Sequence, residues 1–183
     1  MSIPPSNAAL TFSVGGDADV EAIVALIESA YRGDTGLQGW TTETLLIDGQ
    51  RTDAEEISAR MQAPNARFLC AWEDDQLRGC CLLEEQSDAA YFGMFAVSPR
   101  QQGRGIGDQV LAAAEACARH ELHAKKMTMS VIWLRTELIA WYERRGYRKT
   151  GEELPFPYGD PRAGLPRRDD LYFIVLEKPL AAP

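Results

Sequence analysis

Residues 90–117 read AYFGMFAVSPRQQGRGIGDQVLAAAEAC, and the succession of residue types in this stretch decides the fold. Ala90 to Val97 is an apolar, aromatic-rich run that reads as a strand, and Pro99 stops it. Gln102-Gly103-Arg104-Gly105-Ile106-Gly107 then opens directly into a helix with Ile106, Val110, Leu111, Ala114 and Cys117 on one face. A glycine turn at a helix start leaves backbone N–H groups unpaired at the positive end of the helix dipole, which suits a phosphate. The spacing excludes two better-known loops, since it is not G-x-x-x-x-G-K-[ST] and its glycines do not make G-x-G-x-x-G. Lys125 and Lys126 also stand where a dinucleotide site needs an acidic residue. Taken alone, the turn is equally a tight structural connection.

Working outward, Met127, Met129 and Val131 alternate as a further strand, and a short helix carries Leu138, Trp141, Tyr142 and Arg145 up to Gly146. Tyr147 to Glu152 and Leu171 to Leu176 read as the last strands, separated by a proline-containing loop from Glu153 to Asp170 long enough to serve the function. Upstream, Arg67 to Trp72 and Leu77 to Glu84 flank Glu73-Asp74-Asp75 as a hairpin. A helix over about Asp53 to Met61 follows the capping spacing Thr52-Asp53-Ala54-Glu55. Before it, Gly33 to Gln50 reads as a loop or short lid. The first helix is capped by Asp17 and carries Val20, Ile23, Val24, Ile27 and Tyr31 as one stripe, after a strand over Leu10 to Val14. Residues 1–9 read as a loosely ordered lead-in to a single domain spanning 1–183.

Nineteen Lys and Arg against 27 Asp and Glu leave a net charge of −8, which disfavours nucleic acid and anionic membranes and leans toward a cationic small molecule. No apolar stretch is long enough to cross a bilayer and the N-terminus lacks the pattern of a secretory signal, so a cytoplasmic location is expected. Cys70, Cys80, Cys81 and Cys117 have no C-x-x-C spacing and read as reduced core residues. His120 and His123 lack a ligand cluster, so no metal is expected.

Tyr91 to Pro99 followed by Arg100 to Gly107 resembles the central signature of the GNAT N-acetyltransferases, whose Q/R-x-x-G-x-G/A motif falls on Gln102, Gly105 and Gly107. The order of elements over most of the chain is similar to that family's, and residues 141–147, WYERRGY, resemble its C-terminal helix and strand. The resemblance implies an α/β fold with a mixed, mostly antiparallel twisted sheet of about seven strands, about four helices, and middle strands splayed into a cofactor cleft. It implies acetyl-CoA as co-substrate, with the backbone from Gln102 through Gly103, Arg104, Gly105 and Ile106 to Gly107 on the pyrophosphate and Phe95, Ala96 and Val97 along the pantetheine. Tyr142 matches the family's general acid, while Trp141 is assigned to the core.

Two departures stand out. Arg135 replaces an asparagine often found seven residues before the family tyrosine, and strand Ala90 to Val97 carries no carboxylate to serve as base. Glu84, Glu85 and Asp88 are near in sequence but read equally as solvated charges, so deprotonation through water is expected. Acceptor binding is expected from Trp40, Thr41, Thr42 and Glu43 on one side and Phe156, Pro157 and Tyr158 on the other, with Trp40 and Glu43 receiving an ammonium group. The resulting reading is direct acetyl transfer to a primary amine, expected to be a small molecule. A protein or peptide acceptor is one alternative and a non-catalytic acyl-CoA sensor another; a homodimer is compatible with the resemblance.

Overall fold

The computed structural model describes residues 9–32 and 43–181. Its order is β1 (Thr11–Val14), α1 (Val20–Tyr31), β2 (Ile47–Asp48), α2 (Ala54–Gln62), β3 (Ala66–Glu73), β4 (Gln76–Gln86), β5 (Ala89–Val97), α3 (Ile106–His120), β6 (Lys126–Ile132), α4 (Thr136–Glu143), β7 (Arg148–Pro155), β8 (Leu165–Pro166) and β9 (Tyr172–Pro179). Seven strands form one sheet in the order β1-β3-β4-β5-β6-β9-β7. Its pairs are antiparallel except β5 with β6, where α3 supplies the crossover that a parallel pair requires.

Alternation along the central strands feeds two cores. Cys81, Leu83 and Phe92 pack against Val110, Leu111 and Ala114 of α3 and Leu138 and Tyr142 of α4. Cys80, Leu82 and Met94 pack on the other face against Ile23, Ile27 and Tyr31 of α1 and Ile57 of α2. The adjacent Cys80 and Cys81 thus point to opposite faces, and all four cysteines are buried free thiols. Burial pushes each of them above the ordinary thiol value, Cys70 to about 12. Asp74 and Asp75 hold φ of 49° and 58°, the left-handed pair that closes a two-residue hairpin between β3 and β4.

Helix starts differ from the sequence expectation by one step of capping chemistry. Asp53, rather than Thr52, caps α2 by accepting the Glu56 N–H at 2.8 Å, while the Thr52 hydroxyl donates to Glu56. Asp17 begins a single 3₁₀ turn, and Asp19 precedes α1 with its carboxylate on the Gly16 N–H. The long loop after β7 is partly structured: β7 extends to Pro155, and β8 pairs with β2 through Ile47 with Pro166 and Asp48 with Leu165. His120 and His123 are exposed, and the described residues contain no cluster of metal-ligating side chains. No helix among the described residues is long and apolar enough to cross a membrane.

Candidate active site

The site begins with a fault in β5. Cys80 pairs with Ala96 and Leu82 with Gly93, so one β4 residue faces both Met94 and Phe95. Met94 holds φ of 46°, a left-handed conformation that costs a non-glycine residue about 1–2 kcal/mol, and the extra residue bends the strand. On its other edge β5 pairs with β6 only from Ala89 to Tyr91, after which the two strands part. A cavity of about 180 Å³ fills the fork, walled by Phe92 and Phe95 of β5, Met129 and Val131 of β6, Tyr31 of α1 and Tyr142 of α4. The Tyr31 hydroxyl donates to the Phe95 carbonyl at 2.6 Å, fixing the bulge from the α1 side.

Beyond the end of β5 lies a larger cleft of about 560 Å³, lined by Val97, Gln102, Gly103, Gly105 and Gly107 on one side and by Ala140, Trp141 and Arg144 of α4 on the other. Gly105 precedes α3 with φ of 76°, and no side chain caps the helix. The N–H groups of Gly103, Gly105, Ile106 and Gly107 consequently have no acceptor among the described residues. A Cβ at Gly103 or Gly105 would meet no atom within 4 Å, so open space lies over both. The loop is braced from beneath: the Gln102 amide donates to the Val97 carbonyl at 3.3 Å, and Arg104 reaches buried Glu73 at 3.1 Å. Ile106 itself is core.

Adjacent residues of α4 wall the two spaces, Trp141 the cleft and Tyr142 the fork. Tyr142 is buried, its ring edge-on to Phe92, Trp141 and Tyr147. Its hydroxyl makes no hydrogen bond to a described residue and borders the fork cavity. Burial first, and then the neighbouring Tyr31 hydroxyl, pushes its phenol well above the ordinary value of 10, with Arg135 opposing. Trp141 is only partly buried and lines the large cleft, stacked on Phe95 at 5.9 Å and lying under the Arg145 guanidinium at 3.7 Å. Trp141 packs against the edge of the core and also lines the cleft, whereas Tyr142 is buried within the core.

On the far side of the fork, Glu43 accepts from Arg32 at 3.0 Å and from Arg135 at 3.0 Å, all three side chains being at most 10% exposed. Burial alone would raise the Glu43 carboxyl, but Arg135, Arg51 and Arg32 together hold it below the ordinary value. Phe156 is buried and stacks on Phe173 at 5.8 Å, lining an adjoining pocket of about 150 Å³ with Arg32, Arg51 and Arg162. Tyr158 is exposed and braces its loop, donating to the Arg168 carbonyl and accepting the Leu171 N–H.

A model of the acetyltransferase (GNAT) domain matches residues 64–149, from before β3 to the start of β7. That span contains the bulge, the fork, the glycine turn and Tyr142. Residues 64–149, just under half of the chain, thus match the GNAT acetyltransferase family. Solved GNAT structures share its fold along nearly the whole chain. The ribosomal-protein-S18-alanine N-acetyltransferase of Escherichia coli is 15% identical, with 96% of each chain covered and a TM-score of 0.68. The yncA protein of Salmonella typhimurium, solved with its cofactor acetyl-CoA, is 18% identical over 96% of this chain and 98% of its own, with a TM-score of 0.69. Nourseothricin acetyltransferase is 18% identical over 94% and 99%, with a TM-score of 0.66. No curated protein matches the chain in sequence.

Within the matched span the expected cofactor residues Gln102, Gly103, Gly105 and Gly107 line one cleft together with Val97. Arg104 contributes a brace to Glu73, and Phe95 and Ala96 are buried in β5. The expectation that Glu43 receives an ammonium group is corrected, because two guanidinium groups already occupy its carboxylate and leave the surroundings net positive. Trp40, Thr41 and Thr42 lie outside the described residues. Glu84 pairs with Arg60 at 2.6 Å, and Glu84, Glu85 and Asp88 all sit at the paired end of β4 and β5, away from the fork. Arg135, which replaces the family asparagine, belongs to the Glu43 cluster. Sequence reading missed Arg51 and Tyr31: an arginine in a polar loop and an aromatic within a helix stripe carry no local sign of sharing a cavity.

Proposed function

We propose that this acetyltransferase moves the acetyl group of acetyl-CoA directly to the primary amine of a small molecule. The observation that carries the reading is the placement of two spaces on either side of the Phe95–Trp141 stack: a cleft edged by unpaired N–H groups, walled by Trp141, and a fork cavity walled by Phe95 and the Tyr142 ring. The residues fit the co-substrate. Orphan N–H groups and open space at Gly103 and Gly105 suit a pyrophosphate at the positive end of α3. When bound, acetyl-CoA supplies a thioester carbonyl as the electrophile.

The chain's own groups then have defined work. The amine nitrogen bonds to the acetyl carbon as the carbon–sulfur bond breaks, so the amine must arrive neutral, its nitrogen gives up one N–H proton to water as the amide forms, and the departing sulfur takes a proton. Arg51 and Arg135 border the fork, and such cations disfavour a protonated amine; this lowers the demand on a base and lets water remove the proton. Tyr142, held as a phenol by burial, donates its proton toward the sulfur and is reprotonated from solvent. The cysteines are buried free thiols and take no part in this direct transfer.

A small acceptor is favoured over a protein chain by the β2–β8 ribbon, which ties the segment before α2 to the loop after β7 across the acceptor side. An extended peptide needs that side open. The test is release of free CoA thiol from acetyl-CoA with a panel of small amines and unstructured peptides. Turnover with small amines is expected; turnover with peptides alone overturns the small-molecule reading, and none with either overturns the transfer.

A further inference from the structure

The charges around the fork do not match a simple cationic amine. Arg32, Arg51, Arg135 and Arg162 line the fork cavity and its adjoining pocket, against Glu43 as the single acidic residue lining them among the described residues. Glu43 is held by Arg32 and Arg135. Arg51 borders both spaces, and its guanidinium, 5.4 Å from the centre of the Tyr31 ring, makes no ion pair with a described residue, although Glu43 lies close enough to feel its charge. Its backbone is fixed, because the Glu28 carboxylate accepts the N–H groups of Arg51 and Thr52 at 2.6 and 2.7 Å. A second donor faces the same want: the Nε–H of Arg32 is buried with no acceptor among the described residues. Half-buried cations of this kind are costly unless an anion meets them.

Resting on the transfer reaction proposed above, we propose that the acceptor is an amine that also bears a carboxylate, bound through Arg51 with its apolar body against Phe156 and Phe173. Arg51 is then a specificity-determining residue. A guanidinium takes a carboxylate through two parallel N–H bonds, which fixes orientation as well as affinity. The sizes agree, since two adjoining spaces of about 180 and 150 Å³ admit a molecule on the scale of an apolar amino acid. With the carboxylate over Tyr31, the amine is directed along the fork toward Tyr142, and the Tyr31 hydroxyl bond to Phe95 ties the anchoring ring to the bulge.

The test separates binding from chemistry. Binding of N-acetyl-L-leucine, N-acetyl-L-phenylalanine and their amides is measured by calorimetry in wild type, Arg51→Met and Arg51→Lys, each shown to bind acetyl-CoA with wild-type affinity. The acids are expected to bind wild type roughly 10- to 100-fold more tightly than the amides, the scale of a hydrogen bond to a charged group. That preference should vanish in Arg51→Met and partly survive in Arg51→Lys. Equal binding of acids and amides by wild type, no binding of either, or a preference intact in Arg51→Met overturns the proposal. Tighter binding of phosphoethanolamine than of any carboxylate overturns the carboxylate assignment. In parallel, CoA thiol release is followed with L-leucine, L-phenylalanine and their amides. Selective binding of acids without turnover of any amine leaves the carboxylate site standing and refutes the transferase reading instead.

Discussion

Replacing Glu43 by Gln removes the single negative charge between two buried guanidinium groups. Arg32 and Arg135 are 7% and 9% exposed at the side chain, so solvent compensates neither. One amide oxygen can still accept from one arginine, but the amide NH₂ then sets donors against the donors of the other. Breaking a buried pair from one side costs about 3–5 kcal/mol, which for a chain of 183 residues lowers Tm by roughly 6–20 °C. The pH dependence has a fixed sign. Because the folded state holds the Glu43 carboxyl below its ordinary value of 4.5, its stabilisation is complete above that pH and fades as pH falls through the lower folded value. Thermal unfolding of the ligand-free proteins measures both effects: a large gap at pH 7 that narrows below pH 4.5. A Glu43→Gln variant that melts with wild type at pH 7 refutes the ion cluster.

Three further outcomes follow from particular contacts. Gly107→Asp places a carboxylate in the first turn of α3 at the cleft wall; apo stability should hold or rise by up to about 1 kcal/mol, while the Tm increase caused by acetyl-CoA disappears, as a thermal shift assay with and without ligand will show. Gly164→Ala would set a Cβ 2.7 Å from the Asp48 carbonyl at φ of 80°; loosening of the β2–β8 ribbon should cost about 1–3 kcal/mol in urea unfolding and raise the acceptor KM with the acetyl-CoA KM unchanged. The four buried thiols should resist a thiol reagent in the native protein and react after denaturation, so that labelling before unfolding would contradict their place in the core.

Much of the fold was legible because its signals are local. The α1 stripe, the α3 face from Ile106 to Cys117 and the glycine turn each declare themselves within a dozen residues. What was not legible depends on distant partners. Glu43 reads as an available carboxylate until Arg135, 92 residues away, closes over it. The bulge places a methionine where the backbone favours glycine, so composition conceals it. The two-residue β2 and β8 are too short to show a period, and they form because two loops meet. Trp141 and Tyr142 are adjacent aromatics on one helix, and only the turn of α4 against Phe92 and Phe95 decides which one is fully buried and which also lines the cleft.

In the proposed reaction Tyr142 donates the proton from the wall of the fork cavity. Its hydroxyl has no hydrogen-bond partner among the described residues, so Tyr142→Phe should leave Tm and acetyl-CoA affinity unchanged. With an acceptor turned over by the wild-type protein, kcat should fall by roughly 10²- to 10⁴-fold, the scale of a lost general acid. A wild-type kcat in Tyr142→Phe, with acetyl-CoA bound as tightly as before, would contradict the account and leave the ring a packing element beside a reaction whose proton comes from solvent.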